Sequence, residues 1–511
     1  MPERTRTQKT MRNLLFIIPC QIIVLILEFH LRRKFSNILS AERVGVENTF
    51  KKILMFFSAT NLGLIPALSY SLYKPFATND IEKIKATVKF IKKLCWALAA
   101  FFMLIGIPFT FCLQLVANNA DNIYAIPNIR LIYLLSLANA VLPWFFAHRQ
   151  SAILYNQKKH IVVLISFIAV SSKMVAQMIF LSKRPGLVSF VACTTFSTLL
   201  EGVMVFFVSK RQYPFLSEKS ESSLSGKEVI AAFKNAGGGS LNQVFGLIVN
   251  VTNSVYISRF VGLSIAGIQS SYDSILEAIK TFNWNFCEAI GPSVGNLAVL
   301  GEHKKLEKRF FSVLLLSNWI FGGVVCVLVA NFAPLVRVWR PTLRVFDDFT
   351  SIMIFANFYM LAVRKLILMF KGNMGIYWAG KYVTFWEAVL NVILGYLLRG
   401  YGVAGISVGM ASSILCTCFW WEPLLLFKLG FKSSSVPFFK KQLIYYLMTA
   451  ISCVISGFMC GQLDLLGWPR VIVGGMISVF VQTAMFLVVF QKTEEFLFLK
   501  GLARRLLARY G

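Results

Sequence analysis

The chain has 511 residues, 57% of them hydrophobic and 15% charged, with 52 Lys+Arg against 23 Asp+Glu and a formal net charge of +29. A soluble domain carries about 25% charged residues, so a soluble enzyme or an ordinary cytosolic multidomain protein is excluded. In a soluble chain this charge would point to nucleic acid. Here the charges punctuate apolar runs, so no nucleic acid is expected, and the partners are anionic lipid headgroups first and an anionic substrate second.

In chain order, the basic segment 1–12 leads an apolar run that passes into Glu28-Phe29-His30-Leu31-Arg32-Arg33-Lys34 without a small-x-small cleavage site, and reads as a retained first span. A membrane helix needs about 20 apolar residues. The sequence supplies about fourteen such stretches, at 13–33, 52–73, 93–117, 128–149, 160–182, 186–209, 236–260, 266–294, 310–334, 349–370, 378–398, 402–427, 440–461 and 470–491. Segments 80–93 and 494–509 are amphipathic. The first sets Ile81, Ile84, Val88 and Ile91 against lysines, and the second sets Phe498, Leu502 and Leu506 against Arg504, Arg505 and Arg509. Both read as helices lying at the membrane surface.

Lys and Arg concentrate on one side when the N-terminus is placed in the cytoplasm, and the even span count puts the C-terminus there too. The basic connection 32–52 is the exception, falling outside. The Ser- and Glu-rich stretch within 211–229 reads as a flexible cytoplasmic linker. It separates an N-terminal six-helix lobe, 1–210, from a C-terminal one, 230–430, and residues 431–511 add two helices and a basic amphipathic tail. No loop is long enough for a soluble catalytic domain, so the protein is not expected to be an enzyme. The 10 cysteines fall mostly in apolar runs, with no C-x-x-C pair and no histidine cluster. A disulfide framework, a metal site and a cofactor are not expected.

The halves resemble one another. A shift of about 222 residues lays Val44-Gly45-Val46 on Ala266-Gly267-Ile268 and Asp80-Ile81-Glu82-Lys83 on Glu302-His303-Lys304-Lys305. It also lays Lys159-His160 on Lys381-Tyr382, and brings Glu201 within one residue of Glu422. Duplication of a six-helix unit gives two like-oriented bundles around a central cavity, related by an axis along the membrane normal. The expected fold class is an all-α polytopic membrane protein with about fourteen transmembrane helices.

An ionisable group at the bilayer centre costs several kcal/mol and must face a cavity or a partner. The cations in this position are Lys173, Lys280, Arg364 and Lys365. In the eighth span Asp273, Glu277, Lys280, Trp284 and Glu288 recur at helical spacing on one face. They either line a cavity or, for Glu277 and Lys280, neutralise each other as an i,i+3 pair. The seventh span carries a neutral stripe of Gly239, Asn242, Gly246, Asn250 and Asn253, which serves either sugar recognition or helix association. Asp273, Glu277 and Glu387 are the candidates for ion coupling. Lys173, Lys280, Arg364, Lys365, Asn253, Asn250 and Trp284 are the candidates for substrate binding.

The sequence resembles the polysaccharide transporters, the oligosaccharide-lipid flippases of the multidrug/oligosaccharidyl-lipid/polysaccharide (MOP) exporter superfamily. The resemblance is spread over nearly the whole chain. It runs through Asn61-Leu62-Gly63, Leu72-Tyr73-Lys74-Pro75, Asn79-Asp80, Thr252-Asn253-Ser254-Val255-Tyr256-Ile257-Ser258 and Ile268-Gln269-Ser270-Ser271-Tyr272. It continues through Gly295-Asn296, Trp386-Glu387-Ala388-Val389-Leu390-Asn391, Gly402-Val403-Ala404-Gly405-Ile406 and Trp421-Glu422-Pro423. The family commonly has acidic residues where this chain has Asn61 and Asn253. The resemblance implies a cell-membrane flippase that moves a lipid diphosphate-linked oligosaccharide to the outer leaflet by alternating access. It also implies H+ or Na+ as coupling ion and other polysaccharide assembly proteins as partners. The alternative is a multidrug/cation antiporter of the same superfamily.

Overall fold

The computed structural model describes residues 23–57 except 25 and 36, residues 72 and 75, and residues 80–117, 123–155, 158–183, 186–218, 243–299, 301–341, 344–376 and 378–501. Residues 58–71 and 73 of the second span, the linker beyond residue 218, Gly239, Asn242 and the tail after 501 lie outside the described residues, as does the side chain of Glu288. Among the described residues there is no strand, and ten helices are long and apolar enough to cross a membrane. The protein is an all-α polytopic membrane protein.

Contacts divide the chain into two compact units, Met1–Gly267 and Ile268–Gly511. In the first, a helical stretch at 26–35 is followed by α1 (Ala41–Leu54), α2 (Ile81–Phe109), α3 (Ile129–Tyr155), α4 (Lys159–Lys183), α5 (Leu187–Gln212) and α6 (Gln243–Val261). Helix α3 packs along α2 and α5, and α4 along α5. Trp144 of α3 is fully buried and donates from Nε1 to the Phe57 carbonyl at 2.7 Å. That bond satisfies the one polar atom of a large core side chain.

The segment 80–93 corrects the sequence reading. It is not a separate surface helix but the opening turns of α2, begun by Asp80, whose carboxylate accepts from the Lys83 N–H at 3.0 Å. No breaker interrupts the helix before Pro108, and Ile84, Val88 and Ile91 are buried in the unit's core. An apolar stripe that meets protein has no need of lipid. Segment 494–501 also engages protein: Glu495 pairs with Lys441, and Glu494 with Lys308 at 3.4 Å.

Helix α1 crosses the first turn of α7 (Leu263–Val299) within the first unit. A Cβ on Gly45 would lie 2.0 Å from the Leu263 carbonyl oxygen, and one on Gly267 would lie 2.1 Å from the Ala41 carbonyl oxygen. Only glycine permits so close a backbone approach. The contact is reciprocal, and its partners are offset as the two halves of the sequence are.

The second unit continues along α7 and adds α8 (His303–Trp339), α9 (Asp348–Asn373), α10 (Lys381–Leu397), α11 (Gly402–Cys416), α12 (Cys418–Leu425), α13 (Val436–Gly461) and α14 (Gly467–Phe490). Helix α8 is the hub, packing on α9, α13 and α14, and α10 packs on α11. A seam of polar side chains joins α8 to the last two helices. Asn318 and Gln442 exchange amide hydrogen bonds at 3.2 and 3.0 Å, and the Tyr359 hydroxyl donates to Asn318 Oδ1 at 2.8 Å. Asn331 donates to Ser478 Oγ at 3.3 Å and accepts from Arg470 at 3.0 Å. Polar groups that leave water must find partners, and these amides find them across helices.

Candidate functional site

The second unit holds a buried ion network. The Arg364 guanidinium on α9 grips Glu422 of α12 through two bonds, Nε to Oε2 at 3.1 Å and Nη2 to Oε1 at 3.0 Å. Its third donor, Nη1, reaches Glu387 of α10 at 2.7 Å, and the Cys418 thiol donates to the other Glu387 oxygen at 3.2 Å. Buried Lys371 lies within electrostatic reach of Glu422. Two cations thus face two carboxylates. The planar guanidinium fork matches a carboxylate edge, which is why arginine suits this place. Arg364 also borders a cavity with about 20 Å³ of space for water, lined further by Met360, Gln442 and Tyr446. A volume of that size holds about one water.

Lys365, the next residue, points elsewhere. Neighbours on a helix diverge by about 100°, and the Lys365 ammonium sits 3.2 Å from the ring centroid of Trp284 on α7. Asn283 beside it donates to the Ala362 carbonyl at 3.1 Å and fixes α7 on α9. The sequence-predicted face of α7 is present. Asp273 accepts from Gln269 at 3.2 Å, Glu277 pairs with Lys280 at 2.9 Å, and Trp284 follows one turn on. The Glu277 and Lys280 side chains are 64% and 38% exposed and Trp284 is 49% exposed, while Tyr272, Leu276, Asn283 and Cys287 on the adjoining face are buried.

In the first unit Lys173 of α4 belongs to a charged group that includes Glu28 and Arg32 at the end of the first span. Arg32 pairs with Glu47 of α1 at 3.0 Å, and Lys51, Lys173 and Glu28 act on the same neighbourhood. Burial opposes the charge on Glu47, but Arg32, Lys51 and Lys173 outweigh it and hold the carboxyl below its ordinary range. The signal was in the sequence: 32–52 broke the positive-inside pattern, and several of its charges are used here. Asn250 donates to the Gly246 carbonyl of its own helix at 2.9 Å, and Asn253 is half-buried one turn on. The structure therefore brings Arg364 together with Glu387, and Lys365 with Trp284. Lys173, Asn250 and Asn253 lie in the other unit.

No family model matches the sequence, and no significant match to a curated protein is found. Solved structures do match. A lipid II flippase MurJ in an inward closed conformation superposes with a TM-score of 0.67 at 13% identity, over 94% of this chain and 99% of that one. An inward-facing multidrug resistance MATE transporter of the MOP superfamily gives 0.61 at 15% identity, over 82% and 99%. A MOP superfamily transporter from Pyrococcus furiosus, described as having a binding pocket of reverse polarity, gives 0.56 at 14% identity, over 83% and 96%. The chain has the fold of the MOP exporters. Within that fold, the resemblance to polysaccharide flippases read from the sequence fits.

Proposed function

We propose that the protein is a membrane transporter that flips a lipid diphosphate-linked oligosaccharide from the inner to the outer leaflet by alternating access, without covalent chemistry. One observation carries this reading. Helix α7 presents Glu277, Lys280 and Trp284 on a single exposed face, in a helix too polar to count among those fit to cross lipid unaided. Charges at membrane depth turn to water or protein, so this face borders an aqueous path. Trp284, held from one side by Lys365, offers a ring on which a sugar can stack. On the same face Lys280 supplies a cation for the diphosphate. Asp273, Glu277 and Glu387 are the carboxylates available to couple H+ or Na+. The site of action is the cell membrane, with both termini cytoplasmic and other polysaccharide assembly proteins as partners.

A multidrug/cation antiporter is the second reading, favoured by the likeness to MATE transporters and by the exposed Glu277 carboxylate. Proteoliposomes containing a fluorescent oligosaccharide on a polyprenyl diphosphate distinguish the two. Protein-dependent protection of the label from an impermeant quencher is the expected result. Accumulation of a lipophilic cation, with no movement of the lipid-linked sugar, would establish the antiporter instead.

A further inference from the structure

A basic group on α3, away from the residues considered above, has no acidic counterpart among the described residues. His148 is 7% exposed, and among the described residues neither its Nδ1 nor Arg149 Nη1 has a hydrogen-bond partner. The Arg149 guanidinium lies over the Phe206 ring of α5, 4.5 Å from its centroid. Lys92 of α2 acts electrostatically on the imidazole together with Arg149. The alignment of α2 on α3 explains this. Trp96 meets Phe145 edge-on at 5.8 Å, and Lys92, 4.7 Å from the Trp96 ring, stands one turn earlier on α2 as His148 and Arg149 stand one turn later on α3. No carboxylate among the described residues acts on His148 or Arg149. Glu201 of α5 instead accepts from Ser166 on α4.

A buried guanidinium donor or ring nitrogen without a partner is destabilising, the more so when charged. Native proteins satisfy them with protein, water or ligand. Here two helices, α2 and α3, bring together a guanidinium edge, an imidazole nitrogen and an ammonium, so the complement is an anion with several acceptor oxygens. Phosphate has that form, and arginine grips it through two parallel bonds. Arg149 lies about six residues before the end of α3 at Tyr155, ~9 Å along the axis, within reach of the headgroup layer.

We propose that Lys92, His148 and Arg149 form a binding site for the phosphate of a lipid headgroup. The site does not depend on which substrate the transporter moves. The phosphate comes either from a bilayer phospholipid or from a polyprenyl diphosphate, and native mass spectrometry of the full-length protein separates these sources. The probes are phosphatidylglycerol, a polyprenyl diphosphate and a diacylglycerol lacking phosphate.

The wild-type protein is expected to retain at least one phosphate lipid in preference to diacylglycerol. Lys92→Gln and Arg149→Gln are each expected to weaken that lipid roughly tenfold, with Arg149→Lys recovering part of the loss. Weakening confined to phosphatidylglycerol assigns the site to the bilayer, and weakening confined to the diphosphate assigns it to a carrier lipid. Lys92 is exposed, so Lys92→Gln carries the test even if Arg149→Gln does not fold. Equal retention of all three lipids by the wild type, or unchanged retention of both phosphate lipids by folded Lys92→Gln protein, overturns the proposal.

Discussion

Replacing Arg364 with methionine perturbs the buried ion network at its centre. The guanidinium makes two bonds to Glu422 and one to Glu387, and these carboxylates are 1% and 2% exposed. Methionine leaves both without the guanidinium, with the Cys418 thiol still on Glu387 and Lys371 within reach of Glu422. Removing one member of a buried pair costs about 3–5 kcal/mol, because an uncompensated charge stays behind. In a unit of this size that loss lowers the unfolding midpoint by roughly 6–20 °C. Glu387→Gln removes only one of the three bonds and keeps the bidentate pair, so its cost is about 1–2 kcal/mol. The variant Arg364→Met/Glu387→Gln/Glu422→Gln leaves no bare carboxylate, only the single cation Lys371, and should regain part of the stability lost by Arg364→Met. Tryptophan fluorescence during heating of the detergent-solubilised protein reads all three. The reasoning fails if Arg364→Met shifts the midpoint by less than about 2 °C, or if the triple variant melts no higher than Arg364→Met.

Three further outcomes are expected. Gly45→Ala brings a methyl group against the Leu263 carbonyl and costs about 1–3 kcal/mol or more; Gly267→Ala should behave alike, and unchanged melting of both would contradict the close crossing. Asp347 caps α9, and the Thr350 hydroxyl and N–H hold its carboxyl below the ordinary carboxylate range. Its contribution is present above the unfolded value of about 3.9 and is lost as pH falls through the depressed folded value. Asp347→Ala should therefore lower the melting point at pH 7, by about 0.5–2 kcal/mol, and have little effect at pH 2. Trp284→Ala should lower the initial rate of lipid-linked sugar transport several-fold while Trp284→Phe retains more, and equal rates would remove the ring from the path.

Apolar run length fixes where helices stand, because hydrocarbon demands about 20 residues whatever the neighbours are; most described spans thus follow the sequence closely. The face of α7 was legible for the same reason, since Asp273, Glu277, Lys280 and Trp284 share one helix. What a local pattern cannot carry is the choice of partner on another helix. Arg364 and Lys365 are adjacent and look equivalent in the sequence, yet one is committed to Glu387 and Glu422 and the other to Trp284. The amphipathic stretch 80–93 was misplaced for a related reason. Its stripe of Ile84, Val88 and Ile91 shows that something apolar lies opposite, but not whether that is lipid or the unit's own core.

The amide seam along α8 bears on how the chain is made. Asn318 and Asn331 are inserted well before their partners Gln442, Arg470 and Ser478 are synthesised. Until then the Asn331 carbonyl oxygen lacks its Arg470 donor and Asn318 lacks its Gln442 partner, keeping only Tyr359 and the α8 backbone. A nascent chain stopped before Val436 is left in that condition and is marked for removal by quality-control proteases, whereas the finished chain conceals those groups. The last two helices are therefore a closing step in assembly, and a gene shortened at that point should yield little protein even though every helix before it is intact.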